Sequence, residues 1–409
     1  MSQVTKILNI KNNRLREFFG TSLQLIGMVF LIRLIVDTGV RMVYPFVPQI
    51  SKGLKLTVVG FSWLLFARSS AGLMGPLFGI LADRYGRQKI MAVSLLSQSI
   101  GMAGVAFLSR GWAIVPMILI GLGSTIFIPA QQAYISDQVS YEKRGRALAS
   151  VDISYAIVGI VALPIVGWLI ETFDWRSPFL ISSFLSLIAA AMIWSRFPTP
   201  EHRSQTIQTL SEMGRACLKL NVVASMSVGL LLFVAVGCFV TVWGIWLNTD
   251  FGLDAVALGL VATGIGVAEL GGTSISGLLI DRIGKRFGSQ LGLLLTSVFF
   301  LLLPLAQENL FWAKLILVLL GALFEFTIVS LFPLYSEQVP KARATIFSLV
   351  ALGTSLGLGI GPPITAALWE KTGLEGVCAF ATICLLIAVM LVWRFLKERP
   401  SLTEPSVLE

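Results

Sequence analysis

Twelve apolar runs, separated by short charged or Gly/Pro turns, constrain this chain more than any other feature. They fall at approximately 18–46, 57–82, 88–109, 112–137, 146–170, 175–196, 222–248, 254–280, 287–306, 311–336, 344–369 and 374–396. A helix needs about 20 residues to cross the hydrocarbon of a bilayer. It is also one of the few shapes that satisfies its own backbone polar groups there. The sequence is 56% apolar and only 13% charged, where a soluble chain is about a quarter charged. These runs predict an all-α membrane protein with 12 transmembrane helices, numbered below as spans 1 to 12.

An even number of spans leaves both ends on one side. Of the 31 Lys and Arg, 22 lie on that side, six lie on the other (Lys52, Lys55, Arg110, Arg176, Lys314 and Lys371), and three lie within spans. Basic loops stay in the cytoplasm, so both termini are expected there, and the net charge of +9 records topology. Basic residues scattered over short loops do not make a nucleic-acid surface. The four cysteines, Cys217, Cys238, Cys378 and Cys384, show no metal-ligand spacing and read as small apolar residues. The one histidine, His202, lies outside the spans, which leaves no histidine relay within the membrane. Residues 1–17 are basic and polar, without a cleavage pattern, so the first apolar run is expected to persist as span 1. The predicted organisation is a segment 1–17, a six-helix bundle over 18–196, a polar linker over 197–221, a second bundle over 222–396 and a tail over 397–409.

One turn recurs. Gly79-Ile80-Leu81-Ala82-Asp83-Arg84-Tyr85-Gly86-Arg87 follows span 2, and Gly277-Leu278-Leu279-Ile280-Asp281-Arg282-Ile283-Gly284-Lys285 follows span 8, at a constant offset of 198 residues. A repeat of half the chain length predicts two related bundles. The turn closely resembles the signature loop of the major facilitator superfamily, and the likeness covers nearly the whole chain. The resemblance implies two pseudo-symmetric six-helix bundles and a secondary transporter that opens alternately to each side. It further implies a monomer in a bacterial inner membrane, with no enzymatic activity and no cofactor or metal. In that family the acid of the motif, the basic residue four later and an acid at the inner end of span 4 form a cytoplasmic latch. Carried over, these are Asp83, Arg87 and Asp137, supported by Gly79, Arg84 and Gly86 and echoed by Gly277, Asp281, Arg282 and Gly284.

Charges inside spans are costly and mark function or specific pairing. Span 1 carries Arg33, Asp37 and Arg41 every four residues, on one broad face. They read either as a substrate- or proton-binding face or as a local ladder in which Asp37 neutralises its neighbours. Arg68 in span 2 has no acid at helical spacing, so its counter-ion must come from another helix, with Asp37 a candidate, or from a ligand. Span 4 offers Gln131, Gln132 and Tyr134 as cavity candidates. It departs from the drug/proton antiporter pattern, because Met117 stands where that pattern has an arginine four residues before Gly121. Span 5 holds Asp152 about six residues from its inner end. Its Gly159, Pro164 and Gly167 partly match the antiporter's glycine-rich motif, and Gly353, Gly357, Gly361 and Pro362 in span 11 match it better. Small residues at this spacing let backbones approach closely.

Trp243 and Trp246 near the outer end of span 7 read as interfacial anchors or as an aromatic wall for substrate. Glu269 in span 8 and Glu325 in span 10, flanked by Phe324 and Phe326, lack a basic neighbour in their own helices. Either can carry a proton, or serve as a structural partner for Arg33 or Arg68. Asp37, Glu325 and Glu269 are therefore the proton-coupling candidates. The expected function is proton-coupled export of small amphipathic compounds, with sodium as an alternative coupling ion. Two alternatives stand beside it: a transporter of an organic anion or anionic lipid held by the midplane arginines, and a non-transporting membrane sensor or scaffold.

Overall fold

The computed structural model describes residues 22–75, 81, 84–108, 110–197, 219–338 and 343–398. Gly79 and Asp83 of the expected latch, His202, Cys217, most of the linker and both terminal segments lie outside these residues. The described residues are helical, with no strand among them. Nine of their helices are long and apolar enough to cross a membrane, or ten when the bent pair Val47–Gly53 and Val58–Met74 counts as one span. The helix Leu23–Arg41 is the core of span 1 and carries the three charges foreseen there. The run Arg343–Phe395 is hydrogen-bonded throughout but breaks at Gly373, where φ is 64° and ψ is −153°. This break separates spans 11 and 12.

Local chemistry sets the ends. Ser22 caps span 1 by accepting from the Leu25 amide at 3.2 Å, and Thr57 caps span 2 by accepting from the Gly60 amide at 3.0 Å, the usual task of a short hydroxyl at a helix start. The repeated turn is a repeat of backbone as well as sequence. Gly86 (φ 95°, ψ 132°) precedes the helix Arg87–Phe107, and Gly284 (φ 89°, ψ 141°) precedes Lys285–Leu302. These positive φ values suit glycine alone.

The described chain clusters into two units whose borders cut across the sequence halves. Of the described residues, one unit holds those of the first half up to Phe197 together with Phe239–Val267 and Pro362–Lys371; the other holds those from Lys219 to Cys238, Ala268–Gly361 and those from Thr372 to Glu398. In the first unit span 5 packs against the helix Ala255–Ile283 of span 8. A Cβ on Gly159 would lie 3.1 Å from Gly266 Cα, and one on Gly167 would lie 2.3 Å from the Ala255 carbonyl oxygen. In the second unit span 11 packs on the helix Leu220–Phe251 of span 7. There a Cβ on Gly353, Gly357 or Gly361 would come within 2.5, 2.3 or 2.8 Å of span 7 backbone.

Span 5 is irregular. It runs as Tyr141–Asp152, turns at Ile153, continues as Ser154–Ile157, widens to a π-helix over Val158–Ala162 and ends as Leu163–Thr172. The wide turn leaves the Ile160 carbonyl free to accept from Thr263 Oγ1 at 3.2 Å. Two expectations need correction here. Trp243 and Trp246 are 4% and 0% exposed, and Trp246 stacks edge-on against Phe251 at 5.7 Å. They are interior packing residues and do not sit in an interfacial belt. Tyr134 is likewise fully buried and tilts against Phe197 at 5.5 Å, in the apolar core of the first unit.

Candidate functional site

The ladder of span 1 is the scaffold of the site. Four residues of helix put Arg33 one turn from Asp37, and Arg33 Nε donates to both Asp37 oxygens at 2.9 and 3.0 Å. Both side chains are buried. A buried charge is tolerated only when it is paired and its remaining polar atoms are satisfied, and spans 4 and 5 supply those partners. Arg33 Nη1 donates to Gln131 Oε1 at 2.9 Å. Ser154 Oγ donates to Asp37 Oδ2 at 2.6 Å. Asp152 Oδ1 lies 3.5 Å from Arg33 Nη1, and Gln132 hydrogen-bonds the same carboxylate. The Asp152 side chain is 47% exposed, against 2% for Asp37. One turn further along span 1, Arg41 Nη1 donates to the Tyr155 carbonyl at 2.9 Å, with its guanidinium 4.2 Å from the Tyr155 ring centroid.

Of the two readings of this ladder, the local pairing is seen directly. Arg33 and Asp37 are a local i,i+4 pair, and the same pair reaches two further helices. Span 4 supplies Gln131, and span 5 supplies Asp152 and Ser154 to this pair and Tyr155 to Arg41, presented around the turn at Ile153. Sequence reasoning placed Asp152 but gave it no role, although an acid inside a span was signal enough. Nothing local in the sequence marks Ser154 or the Tyr155 carbonyl, because their positions depend on that turn.

Arg68 corrects another expectation. It does not pair with Asp37; its guanidinium donates to Tyr44 Oη at 2.7 Å and to the Val40 carbonyl at 3.0 Å, and sits 4.9 Å from the Tyr44 ring centroid. Among the described residues it has no carboxylate partner. Val40 lies in the last turn of Leu23–Arg41, where carbonyls lack intrahelical donors and the helix dipole is negative. Arg68 therefore caps the end of span 1. Its backbone meets span 4 closely, since a Cβ on Gly121 would lie 2.0 Å from the Arg68 carbonyl oxygen.

The inner-end charges fall into two matching pairs. Arg87 pairs with Asp137 and also donates to the Ala133 carbonyl at 2.6 Å. In the second unit Lys285 Nζ contacts Glu337 Oε1 at 2.5 Å. A partner unforeseen from sequence, Glu398, accepts from the Lys285 and Arg286 amides at 2.8 and 3.1 Å. It caps the helix after the second signature turn, where an acid complements the dipole. Of the remaining candidates, Glu269 is 8% exposed, Glu325 is half-buried, and Phe324 is 4% exposed, edge-on to Phe300 at 5.9 Å.

The family description Major Facilitator Superfamily matches residues 29–236 and 225–408. The chain belongs to the Major Facilitator Superfamily. It is a multi-pass membrane transporter of that superfamily, a carrier and not an enzyme. Its relatives include the multi-drug resistance efflux pump PmrA homolog of Lactococcus lactis subsp. lactis (strain IL1403), 26% identical over 395 residues, 91% of this chain and 95% of the relative. The tetracycline resistance protein, class B, of Escherichia coli is 21% identical over 394 residues, 90% of this chain and 95% of the relative. Among solved structures, an inward-facing, unoccupied bacterial homolog of the human lysosomal transporter Spinster superposes with TM-score 0.77 at 17% identity, covering 93% of this chain and 98% of that one. These similarities establish the superfamily fold; the cargo is a separate question.

Proposed function

We propose that this transporter exports small amphipathic compounds in exchange for protons, by alternating access across twelve spans with both termini in the cytoplasm. The observation that carries this reading is the Arg33, Asp37 and Asp152 network, which places two carboxylates on one guanidinium inside spans where charge is costly. Carboxylates placed in this way can carry a proton. Efflux pumps among the relatives over nearly the full chain support the direction and the cargo class. The anionic-cargo alternative has less support, because Arg33 is engaged by carboxylates and Arg68 by the end of span 1.

The test is transport in inside-out vesicles containing the purified full-length protein. A proton gradient, acid inside, is imposed, and uptake of lipophilic cations and of organic anions is followed. Gradient-driven accumulation of the cations alone is the expected result. Accumulation confined to the anions, or flux indifferent to the gradient, would overturn the reading.

A further inference from the structure

We propose that Asp152 is the carboxylate that exchanges protons with water, while Asp37 remains the fixed, enclosed partner of Arg33. The proposal rests on the proton-coupled reading and assigns its proton to one residue. Two acids share one guanidinium, yet their surroundings differ. Asp37 is 2% exposed, receives both bonds from Arg33 Nε and a third from Ser154 Oγ. Two donors, the Arg33 Nε–H shared between both oxygens and the Ser154 hydroxyl, enclose this carboxylate. Asp152 meets Arg33 at 3.5 Å and Gln132, and nearly half its side chain is exposed. A charged group inside a membrane-spanning helix faces water in preference to lipid, because lipid would cost several kcal/mol.

The groups facing Asp152 are Arg33 and Asp37 from span 1 and Gln132 from span 4. With both acids ionised, the three charges of Arg33, Asp37 and Asp152 sum to −1. A proton on Asp152 brings the sum to zero. Arg33 then gives up its longer contact and keeps its two shorter ones, so the buried pair never separates. Gln132 acts as a positioning residue, holding the carboxyl beside Arg33 in either state. The surplus of one negative charge also fits a singly charged lipophilic cation, which can take the place of the proton.

The test uses full-length protein in liposomes with an internal pH-sensitive dye, and tetraphenylphosphonium as the probe. Wild-type protein should move protons when the cation is added. Asp152→Asn should carry the cation down its gradient without proton movement, and Asp152→Glu should restore coupling with a displaced pH profile. If the wild type moves the cation without protons, proton coupling itself fails and the assignment falls with it. If the wild type is coupled and Asp152→Asn remains coupled, while Asp37→Asn or Glu325→Gln is uncoupled, the assignment is wrong and proton coupling stands. Dicyclohexylcarbodiimide labelling of the wild type, read by peptide mass, gives an answer independent of transport. Labelling at Asp152 that declines with rising pH supports the assignment, and labelling of Asp37 in its place overturns it.

Discussion

At the scale of single residues, the interior charges divide by burial, with Arg33 and Asp37 enclosed and Asp152 half exposed. Arg33 and Asp37 form a buried pair, and removing one partner leaves the other charge stranded, at a cost of about 3–5 kcal/mol. Asp37→Ala should therefore lower the melting temperature of the purified protein sharply. Asp152→Ala should lower it far less, because its carboxylate is half exposed. Thermal unfolding in detergent checks both. Arg68→Ala should cost about 1 kcal/mol, the value of a cation at a helix C-terminus, and should slow cationic and anionic cargo alike. A selective loss of anion transport would instead make Arg68 a ligand site. The charges of span 1 were legible in the sequence because they break an apolar run. The Arg33–Asp37 pairing was legible from its spacing too, but the partners of Arg68 were not, since it finds a carbonyl and a phenol where an acid was sought. Those acceptors carry no signal in a one-dimensional reading.

At the scale of helices, the glycines are where backbone meets backbone. Gly167 lies against span 8 and Gly357 against span 7, each with room for hydrogen but none for a Cβ. Gly167→Val and Gly357→Val should each destabilise the protein by about 1–3 kcal/mol through overpacking, measurable by unfolding, and should reduce transport per folded molecule. The glycine motifs were readable from spacing, but their partners were not. The same four-residue rhythm selects span 8 for span 5 and span 7 for span 11. Only the tertiary arrangement distinguishes them. The reversed reading of Trp243 and Trp246 has the same origin: an indole near a span end looks alike to a sequence whether it faces lipid or protein.

At the scale of the whole molecule, one ion pair follows each copy of the repeated turn, Arg87 with Asp137 and Lys285 with Glu337. Swapping charges, as Arg87→Asp with Asp137→Arg, or Lys285→Glu with Glu337→Lys, should restore transport that either single change abolishes. Folded yield should fall in the single variants and recover in the doubles, because these side chains are only 11–30% exposed and reversing one partner strands the other charge. Failure of the double variants would assign these pairs a role other than mutual attraction. Topology has a test that needs no mutation. Cys238, Cys378 and Cys384 are buried, whereas Cys217 belongs to the polar stretch 197–221. A membrane-impermeant maleimide should label the native protein in inside-out vesicles and spare it in right-side-out ones.

The half-chain repeat also has a limit that the numbering hides. Gly159 and Pro164 correspond to Gly357 and Pro362 at the same offset as the signature turns. The π-helical turn Val158–Ala162 includes Gly159 and ends just before Pro164, whereas span 11 is regular across the equivalent stretch. A π turn takes up one residue more than an α turn, and one residue of α-helix is worth about 100° of rotation and 1.5 Å of rise. Beyond Ala162, equal numbering no longer means equal direction. The internal symmetry of this transporter requires a gap in space where its sequence has none.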